Sequence, residues 1–168
     1  MQLREIDKIR YSKHLKVIFI SIASALLIIA PAISALFISL FSNPDTSYLF
    51  HNLAGVVIAA AIVAFALNKF RHHPYMLEVV YVWELKQQLN RIHRKQRKIE
   101  TAIENNDIDA MIIMNFMYQG SKQLYELDDN TITMGDLLRK IQVHNERMEA
   151  AGLSLSTDSY NPAMLDRF

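Results

Sequence analysis

Two long apolar runs dominate the first 70 positions of the chain, whereas charged residues are concentrated in the remainder. Neither residues 17–42 nor residues 46–68 contain any Asp, Glu, Lys or Arg. An α-helix rises about 1.5 Å per residue, so about 20 residues cross the ~30 Å hydrocarbon core of a bilayer. The pattern therefore predicts two transmembrane helices joined by a turn at residues 43–46. Pro31, in the middle of the first run, is tolerated in such helices.

Two other interpretations of these runs are a buried hairpin of a soluble protein and a cleaved signal peptide. A soluble domain of this size would not cover two helices that are apolar on all sides. The first run is also longer than the apolar stretch of a signal peptide, which has about 7–15 residues. Both alternatives are therefore less favoured than a transmembrane hairpin.

Basic residues flank the outer ends of the two predicted spans. Arg4, Lys8, Arg10, Lys13 and Lys16 precede the first span, and Lys69 and Arg71 follow the second. The segment that connects the spans has no Lys or Arg. Because basic residues are retained on the cytoplasmic side of a membrane, we expect a multi-pass protein with both termini in the cytoplasm.

Small residues recur along one face of the second span, at Gly55, Ala59, Val63 and Ala66. Such residues let helix backbones approach closely within a membrane. We expect this face to pack on the first span, and contact with a second copy of the chain is the alternative.

Helical periodicity continues after the spans. Apolar residues at alternating spacings of three and four predict a helix over residues 75–103: Val82, Leu85, Leu89, Ile92, Ile99 and Ile103. Asn106 and Thr133 are predicted caps of two further helices, at about 107–127 and 134–151. Ile132 and Leu137 are expected to form a hydrophobic staple at the last one.

These elements predict an all-α protein, in which a two-helix transmembrane hairpin is followed by a cytoplasmic helical hairpin or three-helix domain. The predicted segments are a basic N-terminal segment (1–16), the two spans (17–70), the helical domain (71–152) and a mobile C-terminal tail (153–168).

Two groups of residues in the predicted helical domain are candidate binding surfaces. Met111, Met114 and Met117 form either an adaptable docking surface or part of the core. The second group is a basic cluster without any acid, comprising Arg91, Arg94, Lys95, Arg97 and Lys98. It is a solvated helix face, a docking face for acidic groups, or a binding site for nucleic acid or anionic lipid.

The rest of the sequence offers little support for catalysis. The chain has no cysteine and only four glycines, and it lacks the phosphate-binding and nucleophile motifs of common enzymes. The histidines are scattered and are expected at the surface or an interface. A net charge of +1 gives no general attraction to nucleic acid. We therefore expect a membrane-anchored interaction or scaffold module that is not an enzyme and has no cofactor or metal. Its expected partners are membrane lipid and either another protein or itself, with nucleic acid disfavoured.

Several further segments have distinctive sequences: His73-Pro74-Tyr75-Met76, Glu78-Val79, Tyr81-Val82-Trp83, residues 85–90, Ile92, Arg94-Lys95, Asn115-Phe116, Tyr118, Gly120 and residues 123–131. Together they resemble the DUF3087 family of gammaproteobacterial proteins. The resemblance covers nearly the whole chain. It implies a bacterial inner-membrane protein and supplies no catalytic residue, because the function of the family is unknown.

Overall fold

The computed structural model describes residues 2–41 and 47–168, and all its regular elements are helices. The predicted turn at 43–46 lies outside the described residues. Within these described residues, five α-helices and one 3-10 helix follow one another: α1 (Lys8–Phe41), α2 (Leu49–Phe70), α3 (Leu77–Glu104), α4 (Ile108–Leu127), α5 (Met134–Ala150) and the 3-10 helix Pro162–Arg167. The chain divides into a span unit, Ile9–Val80, and a helical unit made of Met1–Lys8 and Tyr81–Phe168. The all-α prediction is confirmed.

Helices α1 and α2 are long and apolar enough to cross a membrane. Only 6% of the most apolar stretch of α1 and 17% of that of α2 are buried. The core helices of soluble proteins bury much more of their apolar surface. Two possible membrane helices therefore begin the chain, and α1 starts nine residues before the apolar run, at Lys8.

The small-residue face of α2 packs closely on α1, as the sequence predicts. Gly55 and Ala59 are the buried residues of α2. A Cβ atom at position 55 would lie 2.1 Å from Ser34 Oγ and 2.9 Å from the carbonyl oxygen of Ala30. Only glycine fits there without a shift of the α1 backbone. Val63 and Ala66 are half-buried beside an apolar hollow between the same two helices.

A polar cluster fixes the beginning of α1 within the span unit. His14 Nδ1 lies 2.8 Å from Glu78 Oε2, and Arg10 Nε lies 2.8 Å from Glu78 Oε1. The His14 ring stacks on Tyr75 with 3.7 Å between centroids. The expectation that the histidines are surface or interfacial residues is wrong for His14, which is buried. Its burial is possible because Glu78 pairs with the ring nitrogen and Tyr75 covers the ring face.

Helices α3 and α4 form the antiparallel hairpin that the periodicity predicts. All six residues of the predicted seam in α3 are buried. Near one end of the hairpin, Tyr81 Oη donates a hydrogen bond of 3.0 Å to Gln123 Oε1. Further along, a Cβ atom at position 120 would lie 3.1 Å from Leu89 Cδ2. The absence of a side chain at Gly120 therefore lets the two helices approach closely.

The N-terminal segment also belongs partly to the helical unit. The backbone N–H of Arg4 donates a hydrogen bond of 2.8 Å to Tyr81 Oη, and Gln123 Nε2 donates to the Arg4 carbonyl. Lys8 pairs with Asp129. Residues 2–7 are not helical, whereas residues 8–16 form the first turns of α1.

Two predictions about helix ends are wrong, and a third is confirmed in part. Helix α4 is capped by Asp107, whose side chain accepts a 2.9 Å hydrogen bond from the N–H of Ala110. Asn106 instead adopts a left-handed backbone conformation with φ of 59° in the tight turn after α3. Thr133 occupies the predicted N-cap position of α5, although its side chain makes no capping hydrogen bond. Ile132 is 93% exposed, so no hydrophobic staple forms there.

The C-terminal segment, residues 153–168, packs against α3 and α4, which differs from the expected mobile tail. Tyr160 is 3% exposed and Leu165 is 1% exposed. The Tyr160 ring stacks on Phe116 with 4.0 Å between centroids. The prediction failed because a few isolated apolar side chains of the segment pack individually on the hairpin. Such packing requires no helical or strand periodicity in the sequence.

Candidate functional site

A groove opens between the end of α3, the middle of α4 and the exposed side of α5, and it has a volume of about 570 Å³. We call it the α3–α5 groove. Its lining consists of Glu100, Ile103, Glu104, Met114, Tyr118, Arg139, Lys140, Val143, His144 and Arg147. All these residues belong to the helical unit.

Helical spacing explains the two walls of the groove. Glu100 and Glu104 are four residues apart, so they project from the same side of α3. Lys140 and Arg147 are seven residues apart and share one face of α5, with Val143 between them. One wall is therefore acidic and the other basic.

The two walls are not joined by direct ion pairs: among the residues that the structure describes, no salt bridge within 4.0 Å joins Glu100 or Glu104 to Lys140 or Arg147. Glu100 accepts a hydrogen bond of 2.7 Å from the neutral side chain of Gln96. The third cation of the groove, Arg139, is paired with Asp136 on its own helix at 3.3 Å. That pairing leaves two acids opposite two cations.

His144 and Tyr118 form the base of the groove. The His144 Nε2–H group donates a hydrogen bond of 2.9 Å to the carbonyl oxygen of Met111. Burial lowers the pKa of His144 because the imidazolium would lose its hydration, and the positive charge of Arg147 acts in the same direction. The neutral ring therefore keeps Nδ1 as a hydrogen-bond acceptor.

Tyr118 contacts the His144 ring edge to face, with 5.5 Å between centroids. Burial raises the pKa of Tyr118, and the negative charge of Glu100 raises it further. The phenol consequently stays protonated at neutral pH and acts as a hydrogen-bond donor. The groove thus offers ion pairing at its two walls and neutral hydrogen-bonding groups at its base.

The structure places the three methionines of the sequence prediction mainly in the core. Met111 is 0% exposed and Met114 is 1% exposed, whereas Met117 is half-buried beside Leu89. The hypothesis of a methionine docking surface is therefore wrong for Met111 and Met114, because α5 and α3 cover that side of α4. The alternative, core packing, is correct for these two residues.

The basic cluster of α3 is divided between two environments. Lys95 Nζ donates a hydrogen bond of 2.6 Å to the Leu165 carbonyl, and Lys98 Nζ donates one of 2.7 Å to the backbone oxygen of Phe168. Arg91, Arg94 and Arg97 remain exposed. Part of the cluster therefore binds the C-terminal segment of the same chain through backbone oxygens.

Sequence reasoning missed the α3–α5 groove as a site. Each wall by itself has the ordinary pattern of a solvated helix face, and His144 was expected at the surface or an interface, although it is 7% exposed. The one available signal was the spacing of Lys140, His144 and Arg147 on one side of α5. Within the described part of the chain, no three His, Asp or Glu side chains converge as a metal site.

Comparison with known proteins identifies the family but no activity. Searches among curated proteins and among solved structures gave no match. The family model described as "Protein of unknown function (DUF3087)" matches residues 1–165, which is essentially the whole chain. The chain therefore belongs to the DUF3087 family.

Proposed function

We propose that this protein is a membrane-anchored helical interaction module, a scaffold or accessory subunit without catalytic activity. The main support for the proposal is the α3–α5 groove, whose acidic and basic walls are not joined by ion pairs and whose basic wall carries an exposed apolar residue. That residue is Val143, which is 58% exposed and lies between Lys140 and Arg147. The spans would hold the module at the bacterial inner membrane, with both termini in the cytoplasm.

A surface that binds another protein specifically combines exposed apolar groups with charges that have no partner in the same chain. A buried apolar contact contributes affinity, while surrounding charges of defined sign select the partner and orient it. Charges already satisfied within the chain would contribute little to such selection. Arg139, which pairs with Asp136, is therefore of less importance in this proposal than Lys140 and Arg147.

Site-specific photo-cross-linking of the full chain in native membranes tests this proposal. A photoreactive amino acid at position 143 should give a discrete protein adduct. The matched control is position 142, because Gln142 is also exposed but does not line the groove. Neighbouring positions of a helix point about 100° apart, since one turn takes 3.6 residues. Equal yields at 142 and 143, or no adduct at 143, would contradict the proposal.

A further inference from the structure

We infer that the partner of the α3–α5 groove is a second copy of this chain, related to the first by a two-fold axis. The inference rests on the proposed function and specifies its partner. It comes from the distribution of charge in the groove, where Glu100 and Glu104 lie on one wall and Lys140 and Arg147 on the other.

A two-fold axis makes such a surface complementary to itself. In a symmetric dimer the same patch is used by both copies, so each residue that contacts a second residue is contacted by it in return. A rotation about an axis that runs along the groove, midway between its walls, would bring the acidic wall of each copy to the basic wall of the other. Two acids of one copy would then face two cations of the other on each side of the axis, and Val143 of each copy would lie on the basic side of the contact.

Partners with a single sign of charge fit the groove less well. A nucleic acid or an acidic peptide would approach Lys140 and Arg147 but would be repelled by Glu100 and Glu104. A basic peptide would meet the reverse problem. Small-molecule sites enclose most of their ligand, whereas this groove lies open along α5. The charge pattern therefore favours a partner with both signs at the spacing that this chain itself provides.

Anchoring in a bilayer would assist the pairing. Copies confined to one membrane have a higher effective concentration than free proteins, which allows a modest interface to be occupied.

Charge reversal on each wall tests the inference with an internal rescue. The acid-reversed variant carries Glu100→Lys and Glu104→Lys, and the base-reversed variant carries Lys140→Glu and Arg147→Glu. Full-length chains with two different affinity tags are co-expressed, solubilised in mild detergent and purified through one tag. The measured quantity is the amount of the second tag that co-purifies, with helical content checked by circular dichroism.

Each reversed variant should pair with itself at least about tenfold less than the unaltered chain, because like charges then face each other across the axis. Mixing the two reversed variants should restore pairing, since a copy with two basic walls complements a copy with two acidic walls. Reversal of Arg91 and Arg94, which are exposed but outside the groove, serves as the control and should leave pairing unchanged.

The outcomes separate this inference from the proposed function. Restored pairing in the mixture supports the second copy as partner. Reversed variants that pair as well as the unaltered chain, or a mixture that stays unpaired, would overturn it. An adduct at position 143 with a different protein would also overturn it, but it would be consistent with the proposed function as an interaction module. The absence of any adduct would contradict both the proposed function and the inferred partner.

Discussion

The burial of Leu165 provides a direct test of the packed C-terminal segment. Its side chain is 1% exposed, although it lies three residues from the end of the described chain. Replacing a buried leucine by alanine costs about 2–5 kcal/mol, from lost burial and from the cavity left behind. The segment lies at the surface and relaxes more easily than a deep core, so we expect Leu165→Ala to lower the free energy of unfolding by about 2 kcal/mol.

Local detachment of the segment sets an upper limit to this loss. Detachment would also expose Tyr160, which is 3% exposed and receives a hydrogen bond from Gln88 Nε2. Asn115 Nδ2 would lose its 3.0 Å hydrogen bond to the Leu155 carbonyl. These contacts act together, so a single substitution is expected to weaken the attachment of the segment without releasing it completely.

Two measurements on the full chain in detergent would check the effect of Leu165→Ala. Denaturant unfolding followed by circular dichroism gives the change in the free energy of unfolding. Hydrogen exchange of the amides in residues 160–168 reports whether the segment opens locally before the helices unfold. The matched control is Asp166→Ala, because Asp166 is exposed and adjacent. Ordinary surface substitutions change the free energy of unfolding by less than about 0.5 kcal/mol. If both variants stayed within that range, the packing of the C-terminal segment on the helices would be refuted.

Three further predictions concern the spans, the groove and the topology. Gly55→Ala should destabilise the packing of α1 on α2 by about 1–3 kcal/mol, because its Cβ would overlap Ser34. The control is Gly135→Ala, whose Cβ would meet nothing within 4 Å, so the stability of the protein should stay unchanged or rise by up to about 1 kcal/mol. Thermal unfolding would compare the two variants. The pKa of His144 is lowered in the folded state, so the unfolded chain binds the extra proton first, and the free energy of unfolding should fall as the pH drops below about 6.5. His144→Gln, whose amide can still donate to Met111, should reduce that pH dependence in acid titration. Cytoplasmic reporters fused to either terminus should be active inside the cell, and activity only outside would reverse the predicted orientation.

The elements that sequence predicts well are those defined by a local period. The apolar runs of α1 and α2 and the alternating spacing of Val82, Leu85 and Leu89 each identify a helix and its apolar surface without reference to the rest of the chain. The close approach of α1 and α2 at Gly55 can also be predicted from local sequence, because small residues in an apolar run indicate a contact between helices. These predictions needed no knowledge of tertiary structure.

The α3–α5 groove depends on information that no local pattern contains. Glu104 and Lys140 are separated in sequence by the whole of α4 and belong to helices whose exposed faces look ordinary. Their charges acquire significance only when α4 brings α3 and α5 to the same opening. His144 illustrates the same limit, since its burial depends on a hydrogen bond to Met111 from another helix.

The C-terminal segment and the basic cluster of α3 explain each other. The segment satisfies some of its carbonyl groups itself, since the Leu165 oxygen accepts a hydrogen bond of 3.2 Å from the Phe168 N–H. Lys95 and Lys98 supply additional donors, to the backbone oxygens of Leu165 and Phe168. Sequence alone showed a cluster of cations and a tail without periodicity, and each in isolation indicated solvent exposure. Because cation and carbonyl are about 70 residues apart in sequence, their pairing follows from the tertiary structure, and it gives part of the cluster a structural role that needs no external ligand.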